Sequence, residues 1–172
     1  GYAEAPLQSL LDMKVRNNFS EDYFDPHSDC YTEEIALGWR LPSNNMEKES
    51  TLVDFTNKIT GFCDQENITV ADYKSANTDV LTRILAKCSP KSLAVHIEEI
   101  ADAIGYEGAF HISLSPDGFP AFSGGGCLSA RDLARFGLIF ARNGLDIHGN
   151  HFANSSFLEK SLSRDAPSLT EP

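Results

Sequence analysis

Three stretches of the chain open on a hydroxyl-bearing residue and close on a glycine: Thr51 to Gly61, Ser89 to Gly105 and Ser129 to Gly144. Serine and threonine side chains accept from the unpaired N–H groups of a helix's first turn, and glycine adopts the left-handed conformation that ends one. Between these marks apolar residues recur at helical spacing: Leu52, Phe55 and Ile59, then Leu93, Ile97, Ile100 and Ile104, then Leu133, Phe136 and Phe140. Asp54 and Asp132 reinforce two of the starts, and Pro90 suits the first turn of the other. Ser75 caps a fourth helix, with Val80, Leu81, Ile84 and Leu85 on its expected buried face. Shorter helices are expected after Pro6, carrying Leu7, Leu10, Leu11 and Val15, and over Ser155–Leu162. The run "AFHISLSPDGFPAF" reads as a hairpin turning at Ser115-Pro116-Asp117-Gly118, and the tail "SRDAPSLTEP" as loop. The fold class is therefore mainly α, about six helices with one small β-hairpin.

One connection stands out. "NNFSEDYFDPHSDCYTEEIALGWRLPSNN" is polar, turn-rich and set with aromatics, and a connection this long is more often functional than idle. The 172 residues suffice for a single domain with a real core, and 41% of them are hydrophobic. The 25 acidic and 14 basic side chains leave a net charge of −11. A surface this acidic repels nucleic acid and anionic membrane, so neither is expected as a partner. No apolar run approaches the roughly 20 residues of a membrane span, and the N-terminus lacks a signal-peptide profile. Cys30, Cys63, Cys88 and Cys127 show no CxxC pairing; isolated thiols are the commoner reading, two disulfides stay possible, and the compartment stays open.

Candidate chemistry gathers in three places. Tyr73 stands just before a helix, flanked by Asp72, Lys74, Ser75 and Asn77. A phenol accepts protons usefully only beside positive charge or helix-end donors, which Lys74 and the helix start could supply in part. Otherwise Tyr73 packs its ring and leaves its hydroxyl in water. In "SGGGCLSARDL" three glycines run into a capped helix, allowing a close backbone approach or a sharp turn. The segment lacks the Lys-Ser/Thr ending of a P-loop, and Cys127 has no histidine in a recognised relation to it, so it reads as a buried small thiol. Asp25, His27, Asp29 and Glu33 imitate a calcium loop, but Cys30 and Ala36 fall where its glycine and glutamate belong, and no metal is expected.

Taken together, "LLDM", "NFSEDYFDP", "GWR", "YKSANTDVL" and "GGGCLSARDLARFG" resemble, in order and spacing, the serine β-lactamase and penicillin-binding-protein superfamily. They are most similar to its class C-like branch, which holds 6-aminohexanoate-dimer hydrolases and related carboxylesterases. The resemblance runs from about Leu10 to Gly144. Such enzymes use a Ser-x-x-Lys for nucleophile and base, a Tyr-x-Asn or Tyr-x-Ser for a proton-relaying phenol, and a later Lys-Thr-Gly or His-x-Gly strand. Tyr73-Lys74-Ser75 matches the second; no serine of this chain has a lysine three residues on, and the third element is also missing.

The resemblance implies that residues 1–172 are the helical domain of a longer α+β serine hydrolase, with the nucleophile upstream and the closing strands downstream. It makes Tyr73 catalytic and Ser75 its motif partner at the substrate. Tyr23 would hydrogen-bond the scissile amide, Glu34 would meet a substrate ammonium, Trp39 would wall the acyl chain and Ser123 would tune the pocket rim. The implied partners are a small-molecule amide or ester and the rest of the parent polypeptide, with no cofactor. The chain on its own is expected to be inactive. The competing reading is a catalytically dead, penicillin-binding-like module that binds ligands or partners only.

Overall fold

Asp117, at the tip of the Ser115–Gly118 turn, accepts the backbone N–H groups of Leu52 (3.1 Å) and Val53 (3.0 Å). Thr51 Oγ1 accepts the next one, from Asp54, at 3.0 Å. Two side chains from distant parts of the sequence thus satisfy the orphan donors of one helix start, and tie a loop to it. In the computed structural model, which describes residues 1–42, 51–61 and 70–163 and the backbone of 168–169, contacts divide the chain into two units.

The first unit comprises residues 1–88, 112–126 and 167–172. It carries α1 (Leu7–Leu11), α2 (Asp29–Ala36), α3 (Leu52–Lys58), β1 (Val70–Ala71) and α4 (Ser75–Cys88). Helix α3 packs on both α2 and α4, and α1 packs on α4. The core gathers Phe19, Cys30, Ala36, Leu37, Leu52, Phe55, Ile59, Ala76 and Ala121, with the Phe19 and Phe55 rings edge to face at 6.1 Å. Such a cluster is the main source of this unit's stability, because each large side chain removed from water contributes roughly 1.5–3 kcal/mol.

The second unit comprises residues 89–111 and 127–166, with α5 (Leu93–Ile104), α6 (Ala130–Ala141) and α7 (Ser155–Leu162). Its core is Ile104, Ile139 and Leu158, lined by Ile100, Tyr106, Phe140 and Ala153. Gly105 ends α5 with φ 65°, a conformation that costs glycine little and a β-carbon much. Strands are minimal. β1 pairs in parallel with β4 (Ser168–Leu169), and β2 (His111–Ile112) pairs with β3 (Gly126–Cys127).

Seven helices among the described residues confirm a mostly helical chain, with five corrections to its elements, and Cys127 is exposed where a buried thiol is expected. The long connection contains α2, whose only large buried aliphatic is Ile35 and whose periodicity is accordingly faint. Ser92, not Ser89, caps α5. The Ser115–Gly118 turn forms, but the run closes on itself only through one bridge, Leu114 to Pro120, and β2 finds its partner in β3. Within the tail, residues 168–169 form a strand rather than loop.

The largest correction concerns α4. Ser75 is its first helical residue, not a cap, and the buried face is polar: Ser75, Asn77, Asp79 and Thr82, with Ala76. Ile84 and Leu85, expected inside, are 37% and 44% exposed. The first unit therefore has polar chemistry at its centre and apolar residues on the outer side of α4.

Candidate active site

A hydrogen-bonded group of acids surrounds the start of α4. The Ser75 N–H donates to Glu21 Oε2 at 2.9 Å. Ser75 Oγ lies 2.9 and 3.0 Å from the two Glu21 oxygens and 2.5 Å from Glu33 Oε2. Glu21 comes from the loop before α2, Glu33 from α2, and Asp79 follows Ser75 by one helical turn on the same face of α4. Tyr23 donates its hydroxyl to Glu21 as well.

Burial governs the protonation of this group. Glu33, almost wholly enclosed, has its carboxyl pKa pushed up to about 10, first by desolvation and then by the neighbouring Asp79, with Ser75 pulling the other way. Asp79, at 0% exposure, is raised too, again chiefly by desolvation, while Glu33 and Ser123 beside it pull the other way. Among the described residues, Glu33 Oε1, both Asp79 oxygens and Ser123 Oγ are buried with no hydrogen-bond partner of good geometry.

Tyr73 stands over this group at the head of α4, 49% exposed, and its hydroxyl bonds to no described residue. Its pKa is raised by desolvation first and then by Glu21, Glu33 and Asp79. Lys74 does not supply the expected positive charge to the phenol. Its buried ammonium pairs with Asp72 at 2.8 Å and donates to the Phe19 carbonyl at 3.2 Å. Tyr23 is also raised, by desolvation and by its bond to Glu21. Both phenols are therefore neutral donors in this chain.

The remaining expected residues are placed as follows. Ser75 is buried and already engaged by two carboxyl groups. Ser123 lies beside Asp79, under the same cluster. Glu34, one position from Glu33 on α2, instead meets Arg40 at 2.6 Å, and the Arg40 guanidinium lies 4.3 Å over the Tyr31 ring. Trp39 donates from its indole nitrogen to Ser113 Oγ at 2.5 Å. Its ring covers Gly124 and Gly125, where an added β-carbon would lie 3.0 Å from ring atoms. The close approach that the glycine run permits is thus to Trp39. Tyr73, Ser75, Tyr23 and Ser123 meet around the acids, whereas Glu34 and Trp39 have partners of their own.

Glu21 and Asp79 do not stand out in the sequence, and Glu33 does so only as part of the imitation calcium loop. The available signal was Asp79, a lone acid four residues after Ser75 and hence on its face of the helix. The two aspartates of the imitation calcium loop act as backbone pins: Asp25 accepts the His27 N–H and Asp29 the Ser20 N–H, each at 2.9 Å.

No protein-family model matches the chain. It is 28% identical over 148 residues to a 6-aminohexanoate-dimer hydrolase of Paenarthrobacter ureafaciens, a match that covers 84% of this chain and 36% of that one. A solved structure from Bacillus anthracis, also described as a 6-aminohexanoate-dimer hydrolase, superposes with a TM-score of 0.78 at 25% identity, covering 92% of this chain and 41% of its own. The chain is thus related to the hydrolases of the β-lactamase- and penicillin-binding-protein-like group. Both of these similar proteins are described as 6-aminohexanoate-dimer hydrolases, and the chain spans 36% and 41% of their lengths.

Proposed function

We propose that the chain is the helical, substrate-covering part of a serine hydrolase that cleaves amide or ester bonds through an acyl-serine intermediate. The observation that carries this reading is Tyr73: a half-exposed phenol whose hydroxyl bonds to no described residue, held at a helix start that Glu21 and Glu33 fasten through Ser75. A residue meant only to pack would bury its ring, and one meant only to hydrogen-bond would have found a partner.

The surroundings state what else the reaction needs. Three carboxyl groups and a desolvated ring keep Tyr73 protonated, so it can donate a proton but not accept one. A cation within a few ångströms would reverse that balance, and Lys74 is turned away from it. The lysine of a Ser-x-x-Lys on the parent polypeptide is the group that fits, arriving together with the serine nucleophile. The serine would attack the carbonyl, its proton would pass to the lysine and Tyr73 pair, and Tyr73 would return it to the leaving amine or alkoxide. Tyr23, which donates to Glu21, would contact the leaving nitrogen.

Two measurements test this. The isolated chain should turn over neither p-nitrophenyl esters nor a chromogenic cephalosporin; turnover above buffer that a serine-directed phosphonate blocks would overturn the divided-site reading. The parent polypeptide should be labelled by the same phosphonate at an upstream Ser-x-x-Lys serine. A parent without that motif, unlabelled and still binding amide ligands, would be the dead binding module instead.

A further inference from the structure

The contacts of Ser75 do not balance unless an additional proton is present. Its hydroxyl carries one proton, yet Oγ lies within 3.0 Å of both Glu21 oxygens and 2.5 Å from Glu33 Oε2. Ionised carboxylates only accept. Glu21 already receives the Ser75 N–H and the Tyr23 hydroxyl, which marks it as the accepting end. The second carboxyl on Ser75 must then be the donor. Glu33 meets the condition: it is 3% exposed, and Oε1, its other oxygen, has no partner among the described residues.

Asp79 points independently to the same conclusion. It is fully buried, both of its oxygens lack a donor among the described residues, and it faces Glu33 and Ser123. Two enclosed carboxyl groups side by side, with no cation between them among the described residues, cannot both be charged, since each bare charge is costly to bury. Among the described residues, the groups acting on Glu33 are acids, weak acids or hydroxyls: Glu21 from the loop, Asp79 and Ser75 from α4, Tyr73 ahead of it, Tyr2 from the N-terminal segment and Cys30 from its own helix. Lys74, next to Ser75 in sequence, is held by Asp72 and the Phe19 carbonyl, and Arg83, one turn beyond Asp79, by Thr56 and Asn57.

We propose that Glu33 is a protonated carboxylic acid at neutral pH and a positioning residue for Tyr73, donating to Ser75 Oγ and completing a chain of donors from Glu33 to Ser75 to Glu21. The chain locks the first residue of α4, two positions after the phenol, to α2 and to the loop that also holds Tyr23. The positioning role rests on the catalytic reading of Tyr73; the protonation does not. The sign follows from linkage. A carboxyl whose folded-state pKa is raised stabilises the fold fully below its ordinary value of 4.5, and that contribution is lost as pH rises towards about 10.

Infrared spectroscopy of the 172-residue chain at pH 7 tests the protonation directly. A protonated-carboxyl C=O stretch is expected, absent from Glu33→Gln and retained in Asp132→Asn. Identical wild-type and Glu33→Gln spectra would overturn the proposal. Thermal unfolding tests the donor. Glutamine can still donate to Ser75 and cannot ionise, so Glu33→Gln should melt at or above wild type at pH 7 and lose the alkaline decline in melting temperature. Glu33→Leu should melt lower; a Gln variant as unstable as the Leu variant would overturn the donor role. In the parent hydrolase, Glu33→Leu should lower kcat on the order of tenfold with little change in KM, and Glu33→Gln should recover most of it. A parent without hydrolytic activity would remove the catalytic reading alone, since the infrared result stands apart from turnover.

Discussion

The indole nitrogen of Trp39 donates to the hydroxyl of Ser113 at 2.5 Å, across a gap that exists because residue 125 is glycine. A β-carbon on Gly125 would lie 2.3 Å from Ser113 Oγ, 2.9 Å from the Ala121 β-carbon and 3.0 Å from the Trp39 indole nitrogen. Gly125→Ala is therefore expected to displace Ser113 and break the bond to Trp39, at an overpacking cost of about 1–3 kcal/mol. Adding Ser113→Ala should return part of that loss, because it removes the nearest atom. Chemical denaturation of both variants checks this, and a Gly125→Ala chain as stable as wild type would remove the steric account of the glycine run.

Apolar residues on the outer sides of α4 and α6 lead to a second prediction. Leu85 is 44% exposed and Leu133 58% exposed, on helices whose buried faces are partly polar. Surface of this kind binds hydrophobic dyes and drives association when nothing covers it. The isolated chain should enhance the fluorescence of an anilinonaphthalene dye and self-associate at high concentration. Leu85→Glu and Leu133→Glu should each reduce the dye signal with little loss of stability. A monodisperse monomer without dye response would show that these faces are not adhesive.

The caps and the faces differ in how far they were legible. Thr51, Ser129, Gly105 and the bounds of α7 could be read because a cap is a local arrangement, complete within four residues. The start at Ser92 was missed because Ser89 and Pro90 imitate a start just before it. Helix α2 was hidden because Glu33, a charged letter in sequence, is one of its buried residues. The inverted face of α4 follows from the same limit: apolar periodicity assumes that apolar means inside, and here Asp79 and Asn77 take that place. At the site, Tyr73 and Tyr23 were legible through the resemblance. Glu33 and Asp79 were not, because a buried acid is explained only by its tertiary neighbours.

Asp132 gives a pH prediction of opposite sign to that for Glu33. Its carboxylate accepts the N–H groups of Glu107 (3.0 Å) and Gly108 (3.1 Å) and the Ser129 hydroxyl (2.8 Å), and pairs with Arg135 at 3.0 Å. These donors, the Glu107 N–H foremost, lower its pKa from 3.8 to about 2. A lowered folded-state pKa means stabilisation that is full above the ordinary value and lost as pH falls through the folded one. Asp132→Asn should therefore melt below wild type at about pH 5 and above, with the gap closing as pH approaches about 2. A gap constant across that range would show that the carboxylate charge is not what the N–H groups hold.

The two phenols on the Glu21 side of the site should separate by substrate in the parent hydrolase. Tyr73→Phe keeps the ring and deletes a hydroxyl that has no partner among the described residues, so folding stability should barely move. Loss of a general acid–base group typically costs about 10²–10⁴-fold in rate, and kcat should fall by that order on amide and ester alike, with KM little altered. Tyr23→Phe removes a hydroxyl bonded to Glu21 and should act differently. If the phenol meets the leaving nitrogen, amide hydrolysis suffers, while a matched ester, which has no N–H to hold, is spared. Releasing Glu21 from Tyr23 leaves its two bonds to Ser75, so α4 should keep its start and Tyr73 its place. Steady-state rates of both variants on a matched amide and ester decide between these roles. Equal losses for both variants on both substrates would dissolve the distinction between proton relay and substrate contact. Near-wild-type rates for Tyr73→Phe would remove the catalytic assignment of the motif itself.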